Sequence, residues 1–239
     1  FDQERFADPA KSIRGGIPVL FPICGNLPDD RLPLACGDFS LKQHGFARDL
    51  PWQIELLGDQ SGVMLSLTDC ADSRRVYPFG FRIQMELRPL SASLEVSITI
   101  ANTSASVSEP MPFSFGLHPY FNVSDLSLTA VEGLPDHCFN HLEMAEAETS
   151  AQLSRLAQGV DFLTHPGGPV TLVDEQAGTR LQLHHHEPMD LTVVWTDPPR
   201  AMVCVEPWTG PRQALISGDR RMELCAGEST RLCCRYSLS

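Results

Sequence analysis

The chain has 239 residues, of which 42% are hydrophobic and 20% charged, and its formal net charge at pH 7 is -12. That composition fits a folded globular protein and excludes a disordered one. So acidic a balance argues against a nucleic-acid partner, whose phosphates demand a basic face, although a local basic patch for one anionic group remains open. No apolar run approaches the length needed to span a bilayer, so no membrane partner is expected. No signal-peptide pattern opens the chain, which begins FDQERFADPAK on Phe1 rather than on Met. The numbered chain is therefore expected to be processed or to lack an upstream part. The 8 Cys are scattered, apart from the adjacent Cys233 and Cys234, and form no CxxC pair. Reduced thiols and a cytoplasmic location follow, several of the cysteines serving as small hydrophobes.

The first fifty residues read as irregular chain rich in Gly and Pro, from SIRGGIPVLFPICGNLPDD into QHGFARDLPW (Gln43–Trp52). Long irregular loops on β scaffolds often carry function. The second stretch sets His44, Arg48 and Asp49 among Phe46 and Trp52 around Gly45. A core segment would avoid those polar groups and a solvated loop would avoid the aromatics, so the mixture suits the wall of a ligand pocket. His44 can donate, accept or carry a proton near neutrality, and Arg14 and Arg48 offer forked donors for hydroxyl or anionic oxygens. The plainer alternative pairs Arg48 with an acid such as Asp49 and makes His44 a structural residue.

Alternation of apolar and polar residues then predicts antiparallel strands at GVMLSLTD (Gly62–Asp69), FRIQMELRPL (Phe81–Leu90) and SLEVSITIANTS (Ser93–Ser104). In SFGLHPYFN (Ser114–Asn122), His118 sits among Phe115, Tyr120 and Phe121. An apolar surround lowers its pKa and a nearby carboxylate raises it, so a His held between the two can act as general acid or base. EMAEAETSAQLSRLA (Glu143–Ala157) is the one stretch rich in helix formers, a short helix or a polar connection. Asp161, in QGVDFLTHPGG, is a substrate contact or a turn residue.

Strands continue through RLQLHHHE, LTVVWTD, AMVCVEPW and TRLCCRYSL. His184, His185 and His186 look like metal ligands, but successive strand residues point to opposite faces and cannot all reach one ion. No metal site is expected. In AMVCVEPWTG (Ala201–Gly210), Glu206 follows an apolar run and precedes Pro207, which should end strand pairing. A carboxylate there, beside Trp208, either faces a cleft with a raised pKa or is an exposed strand-end Glu. Many short strands with frequent turns point to an all-β sandwich or barrel, and the even spread of Pro favours one domain over residues 1–239. The chain has no GxSxG, no P-loop and no GxGxxG ahead of a helix.

Five stretches together carry a resemblance: RGGIPVLFPICG (Arg14–Gly25), HGFARDLPW (His44–Trp52), FGLHPYF (Phe115–Phe121), VDF (Val160–Phe162) and VEPWTG (Val205–Gly210). In this order the chain resembles the aldose 1-epimerase (mutarotase) family, especially its hexose-6-phosphate 1-epimerase branch. The resemblance implies a galactose-mutarotase-like antiparallel β-sandwich, a supersandwich with few short helices. It also implies an isomerase that interconverts the α and β anomers of an aldose or hexose 6-phosphate without a cofactor, as monomer or homodimer. Carried over, Glu206 would take the proton from the anomeric hydroxyl and His118 would protonate the ring oxygen. His44 would hydrogen-bond the sugar, Asp161 would hold ring hydroxyls, and Arg14 and Arg48 would bind hydroxyls or the 6-phosphate. Family members usually carry several strands ahead of the RGG segment, whereas thirteen residues precede Arg14 here. The resemblance therefore implies either missing N-terminal strands or strands upstream of this numbering. A non-catalytic carbohydrate-binding protein on the same scaffold is the alternative. A glycoside hydrolase is disfavoured, because only Glu206 of the two carboxylates such enzymes use has motif support.

Overall fold

The computed structural model describes residues 4, 7, 8, 11, 14–105 and 109–239. Most of the opening FDQERFADPAK stretch, and the Ser12 and Ile13 that lead into Arg14, lie outside the described residues.

The predicted alternation becomes real strands. Val63–Thr68, Phe81–Pro89 and Ser93–Asn102 pair antiparallel in sequence order, with Met85 opposite Ile98 and Ile83 opposite Ile100. Alternate residues are buried from Phe81 to Met85 and from Val96 to Asn102, as the two-residue period of a strand requires. These strands belong to an eight-stranded antiparallel sheet that runs from Thr129–Glu132 through Val170–Asp174, Thr179–His185 and Ser229–Leu238 to the edge strand Gln53–Leu56. A second eight-stranded sheet runs Val19–Leu20, Gly116–Leu117, Met202–Trp208, Leu191–Thr196, Asp161–Thr164, His137–Asn140, Ala145–Glu148, and Tyr120–Asn122 also pairs with Met202–Trp208. The two sheets share one apolar core, to which Ile83, Ile98, Ile100 and Leu232 contribute from one sheet and Phe162, Val194, Val203 and Val205 from the other. The α-helical segments Ala71–Val76, Thr149–Leu153 and Ala214–Ser217 are short, and no helix among the described residues is long and apolar enough to cross a membrane.

The stretch Glu143–Ala157 divides rather than forming one helix. Ala145–Glu148 is an edge strand paired with His137–Asn140, and only Thr149–Leu153 is helical. Tertiary pairing overrides the helix propensity of its alanines and glutamates. Pro207 does not end its strand either. Met202–Trp208 continues through it, with Thr192 opposite Pro207 and Leu191 opposite Trp208. All eight cysteines are free. His185 faces Thr192, its Nε2 lying 3.2 Å from the Thr192 hydroxyl.

Met202–Trp208 is buried along its whole length because both of its faces are covered. Val203 and Val205 enter the core between the sheets, whereas Trp208 joins a second apolar cluster with Leu20, Cys24, Leu191 and Val193. Leu20 and Cys24 thereby bring the N-terminal segment against Leu191, Val193 and Trp208.

Candidate active site

Three of the motif stretches interlock through backbone hydrogen bonds. Val19 and Leu20 pair with Leu117 and Gly116, and the Ser114 N–H donates to the Pro22 carbonyl at 2.8 Å. The Phe46 N–H donates to the Phe21 carbonyl at 3.0 Å and the His44 N–H to the Gly25 carbonyl at 2.6 Å. The RGG segment is thus held between the stretch carrying His44 and the stretch carrying His118. Behind the wall, the Phe46 ring packs against Phe21, Tyr77 and Phe81, and the Trp52 indole N–H donates to the Ala47 carbonyl at 2.9 Å.

The interlocking encloses a cavity of about 270 Å³ on the outer face of the sheet, large enough for a monosaccharide. Arg14, His44, Arg48, His118, Asp161 and Glu206 all line it. At its floor, the His118 Nε2 lies 3.3 Å from the Glu206 Oε1, while the Trp208 indole N–H donates to the Glu206 Oε2 at 3.1 Å. Glu206 is 1% exposed, which rules out the exposed strand-end alternative. Burial, helped by the charge of Asp161, pushes its carboxyl well above the usual range against the opposing Trp208 hydrogen bond. Burial also pulls the His118 imidazolium down, to about 4. Both shifts favour the uncharged forms, an arrangement in which the pair would share one dissociable proton carried on Glu206.

The surroundings orient the pair. The Tyr120 ring stacks on His118 with centroids 4.9 Å apart and planes 13° from parallel, and Trp195 meets it edge-on at 5.4 Å. His44 adopts a left-handed backbone (φ 66°), and its Nδ1 accepts the Gly25 N–H at 3.1 Å. Its remaining proton therefore sits on Nε2, the neutral form that burial favours by lowering its pKa. Non-glycine residues in that conformation cost about 1–3 kcal/mol and cluster at functional sites.

Both Asp161 oxygens already have partners: Oδ1 lies 2.7 Å from the His141 Nδ1, and Oδ2 accepts from the Arg212 Nη2 at 2.7 Å. Arg14 pairs with Asp197, which also pairs with Arg200, and its guanidinium lies 5.5 Å above the Trp195 ring. Arg48 differs. Its Nη2 donates to the Gln43 carbonyl at 3.0 Å, its Nε is buried without a hydrogen-bond partner, and no carboxylate among the described residues pairs with it. The pairing of Arg48 with Asp49 considered from sequence is not formed.

Sequence reasoning missed Arg212, Trp195 and His141. Arg212 closely follows VEPWTG, a proximity that could have marked it. Trp195 arrives only through its register opposite Cys204, and His141 only through the chain reversal after His137–Asn140.

Known proteins resemble the chain in sequence and in fold. Residues 5–237 match the sequence profile of the family described as Aldose 1-epimerase. A protein of Cenchrus ciliaris named "Putative glucose-6-phosphate 1-epimerase" is 34% identical over 138 residues, which cover 53% of this chain and 37% of that protein. A protein of the same name from Escherichia coli K12 is 30% identical over 138 residues, covering 56% of this chain and 41% of that one. The matched segments thus span less than half the length of these relatives. The crystal structure of the Slr1438 protein from Synechocystis sp. PCC 6803 superimposes with a TM-score of 0.93 at 32% identity, covering 100% of this chain and 83% of that one. A galactose mutarotase related enzyme from Lactobacillus acidophilus shares the fold, with a TM-score of 0.77 at 21% identity over 93% of this chain and 82% of its own. The antiparallel sandwich is therefore the galactose-mutarotase-like fold, and the chain belongs to the aldose 1-epimerase family.

Proposed function

We propose that this cavity interconverts the α and β anomers of a hexose 6-phosphate by acid/base ring opening and closure, with Glu206 and His118 as the proton-transfer pair. The observation that carries the reading is the 3.3 Å contact between His118 and Glu206 on the wall of a sugar-sized cavity. Moving the shared proton across that contact gives a carboxylate and an imidazolium. Glu206 then takes the O1–H proton while His118 protonates O5. The C1–O5 bond breaks, the C1–O1 bond becomes a carbonyl, and the O5 electrons end in a hydroxyl. Rotation about C1–C2 presents the other carbonyl face, and closure returns both protons with the roles reversed. His44 and Asp161 position ring oxygens, and Trp195 and Tyr120 offer flat apolar faces to the sugar.

The phosphate preference rests on Arg48. In a chain of net charge -12, it is a guanidinium in the cavity with no carboxylate partner among the described residues. An anionic substituent would satisfy its free donors with charge-assisted bonds. Anomer exchange followed by NMR on glucose, galactose and glucose 6-phosphate in parallel tests the whole reading. Acceleration of the phosphate ester above the free sugars is expected. Equal acceleration of all would make the chain a general aldose 1-epimerase, and binding without acceleration would make it a carbohydrate-binding protein. Arg48→Ala should raise KM for glucose 6-phosphate about 10–100-fold, the worth of one charged hydrogen-bonding group, and change kinetics on free glucose by less than about threefold.

The pH dependence follows from the single shared proton. Below the His118 pKa of about 4 the pair gains a second proton and has no base, so activity should persist at pH values where an ordinary His would already be charged. Above the raised pKa of Glu206 the pair loses its only proton and has no acid. Asp161→Asn removes a charge that helps keep the proton on Glu206, so the alkaline limb of kcat/KM should move to lower pH. An unmoved limb would detach Asp161 from the electrostatics of the pair.

A further inference from the structure

Beside the His118–Glu206 pair lies a third reactive side chain, fully buried, that the epimerase chemistry does not use. Cys204 lies two residues before Glu206 on the same strand, and alternation puts both side chains on the same face. Its register partners are Tyr120 and Trp195, the aromatic residues that flank His118. A ligating atom of each of His118, Cys204 and Glu206 lies within 4.8 Å of the other two, and all three residues are buried. The His118–Glu206 separation, 3.3 Å, already matches the spacing of two ligands around a tetrahedral ion. Zn²⁺ with bonds of about 2.0–2.3 Å holds its ligands roughly 3.3–3.8 Å apart, so the Cys204 sulfur needs to approach by about 1.5 Å or less.

We infer that His118, Cys204 and Glu206 form a reversible binding site for a thiophilic divalent cation of the Zn²⁺ type, with its fourth position open to the sugar cavity. An imidazole, a thiolate and a carboxylate are a Zn²⁺ donor set, whereas Mg²⁺ and Ca²⁺ want oxygen ligands throughout. The two strand residues are rigidly placed, and the backbone N–H of His118 is fixed to the Pro18 carbonyl at 2.9 Å. The Nδ1 of His118, a residue 8% exposed, is buried without a hydrogen-bond partner. Resident metal sites usually support the second ring nitrogen of a ligating His with a carboxylate or carbonyl. Its lack here, with the Arg48 charge nearby on the cavity wall, makes the site a weak, exchangeable one. Occupancy would engage both members of the proton-transfer pair at once. The binding itself is independent of the epimerase reading; only the inhibition rests on it.

The test uses the full chain with the exposed cysteines Cys36, Cys70, Cys225 and Cys233 replaced by Ser, titrated calorimetrically with ZnCl₂. One equivalent of Zn²⁺ should bind and be removable by EDTA. Cys204→Ala, with Cys204→Val as the volume-conserving second variant, should weaken it at least about tenfold, since loss of even a supporting group costs that much. Anomer exchange in the absence of metal should be unchanged in these variants, and inhibition by Zn²⁺ should require correspondingly more of the ion. Absence of that equivalent, or equal affinity in all three proteins, overturns the site. Normal Zn²⁺ binding in a protein that accelerates no anomer exchange would instead leave the site standing and remove the epimerase reading.

Discussion

Glu206→Gln is expected to lower kcat for anomer exchange by about 10²–10⁴-fold, the usual worth of a general acid/base group, with little change in KM or in thermal stability. The expectation of an unaltered fold follows from the charge state. Burial favours the neutral form of the Glu206 carboxyl, and a neutral amide of the same shape introduces no charge of its own. The Trp208 indole N–H, 3.1 Å from Oε2, can still donate to the amide oxygen. What disappears is the capacity to hold and release a proton, which ring opening needs in both directions. His118→Asn should give a loss of similar size, and the double variant should be little worse than either single one, because the two residues share one proton. NMR exchange rates together with thermal melts check this. Full exchange in the well-folded Gln variant would remove Glu206 from the chemistry.

Gly45→Ala is expected to cost about 3 kcal/mol or more in stability, which for a chain of this size lowers Tm by roughly 6–12 °C. Two causes act together. Gly45 adopts φ +69°, in the left-handed region that L side chains rarely adopt, and an added Cβ would lie 2.2 Å from the Phe21 carbonyl oxygen. That contact involves backbone, so no side-chain rotation relieves it. The same carbonyl accepts the N–H groups of Phe46 and Ala47, at 3.0 and 3.3 Å, so displacing it loosens the junction that holds His44 and Arg48 against the cavity. Loss of anomer exchange should therefore accompany the fall in Tm, and a differential scanning measurement beside the exchange assay separates this outcome from that of Glu206→Gln. A variant as stable as the parent would mean that the wall is not built on this close approach.

How far the sequence could be read depended on the element. Phe81–Pro89 and Ser93–Asn102 were legible because one face of each packs into the core and the other does not, which imposes alternation. Met202–Trp208 was legible as a strand but not in its extent, because it is covered on both faces and shows no alternation at its end, and its proline stays in register opposite Thr192. Ala145–Glu148 was illegible: its residues favour a helix, and only pairing with His137–Asn140 makes it a strand. The short helix Ala71–Val76 has too few residues to display a period.

In the site, the residues that sit in dense motifs were named from sequence, and all six of them, Arg14, His44, Arg48, His118, Asp161 and Glu206, line one cavity. Their states were not readable. That Arg48 has no carboxylate partner among the described residues, while Arg14 and Arg212 are paired, depends on the positions of Asp197 and Asp161. Arg212, Trp195 and His141 stand in no motif recognised from sequence and reach the site through strand register and chain reversal, while Cys204, inside AMVCVEPWTG, read only as a small hydrophobe. The sequence by itself determined the fold class, through its strand periods, and the residue types able to do acid/base chemistry, through three motif-dense stretches. The tertiary structure alone decided that His118 and Glu206, 88 positions apart in the sequence, meet at 3.3 Å. It also decided the direction in which both groups shift, because burial, which only packing produces, makes the charged forms of both unfavourable.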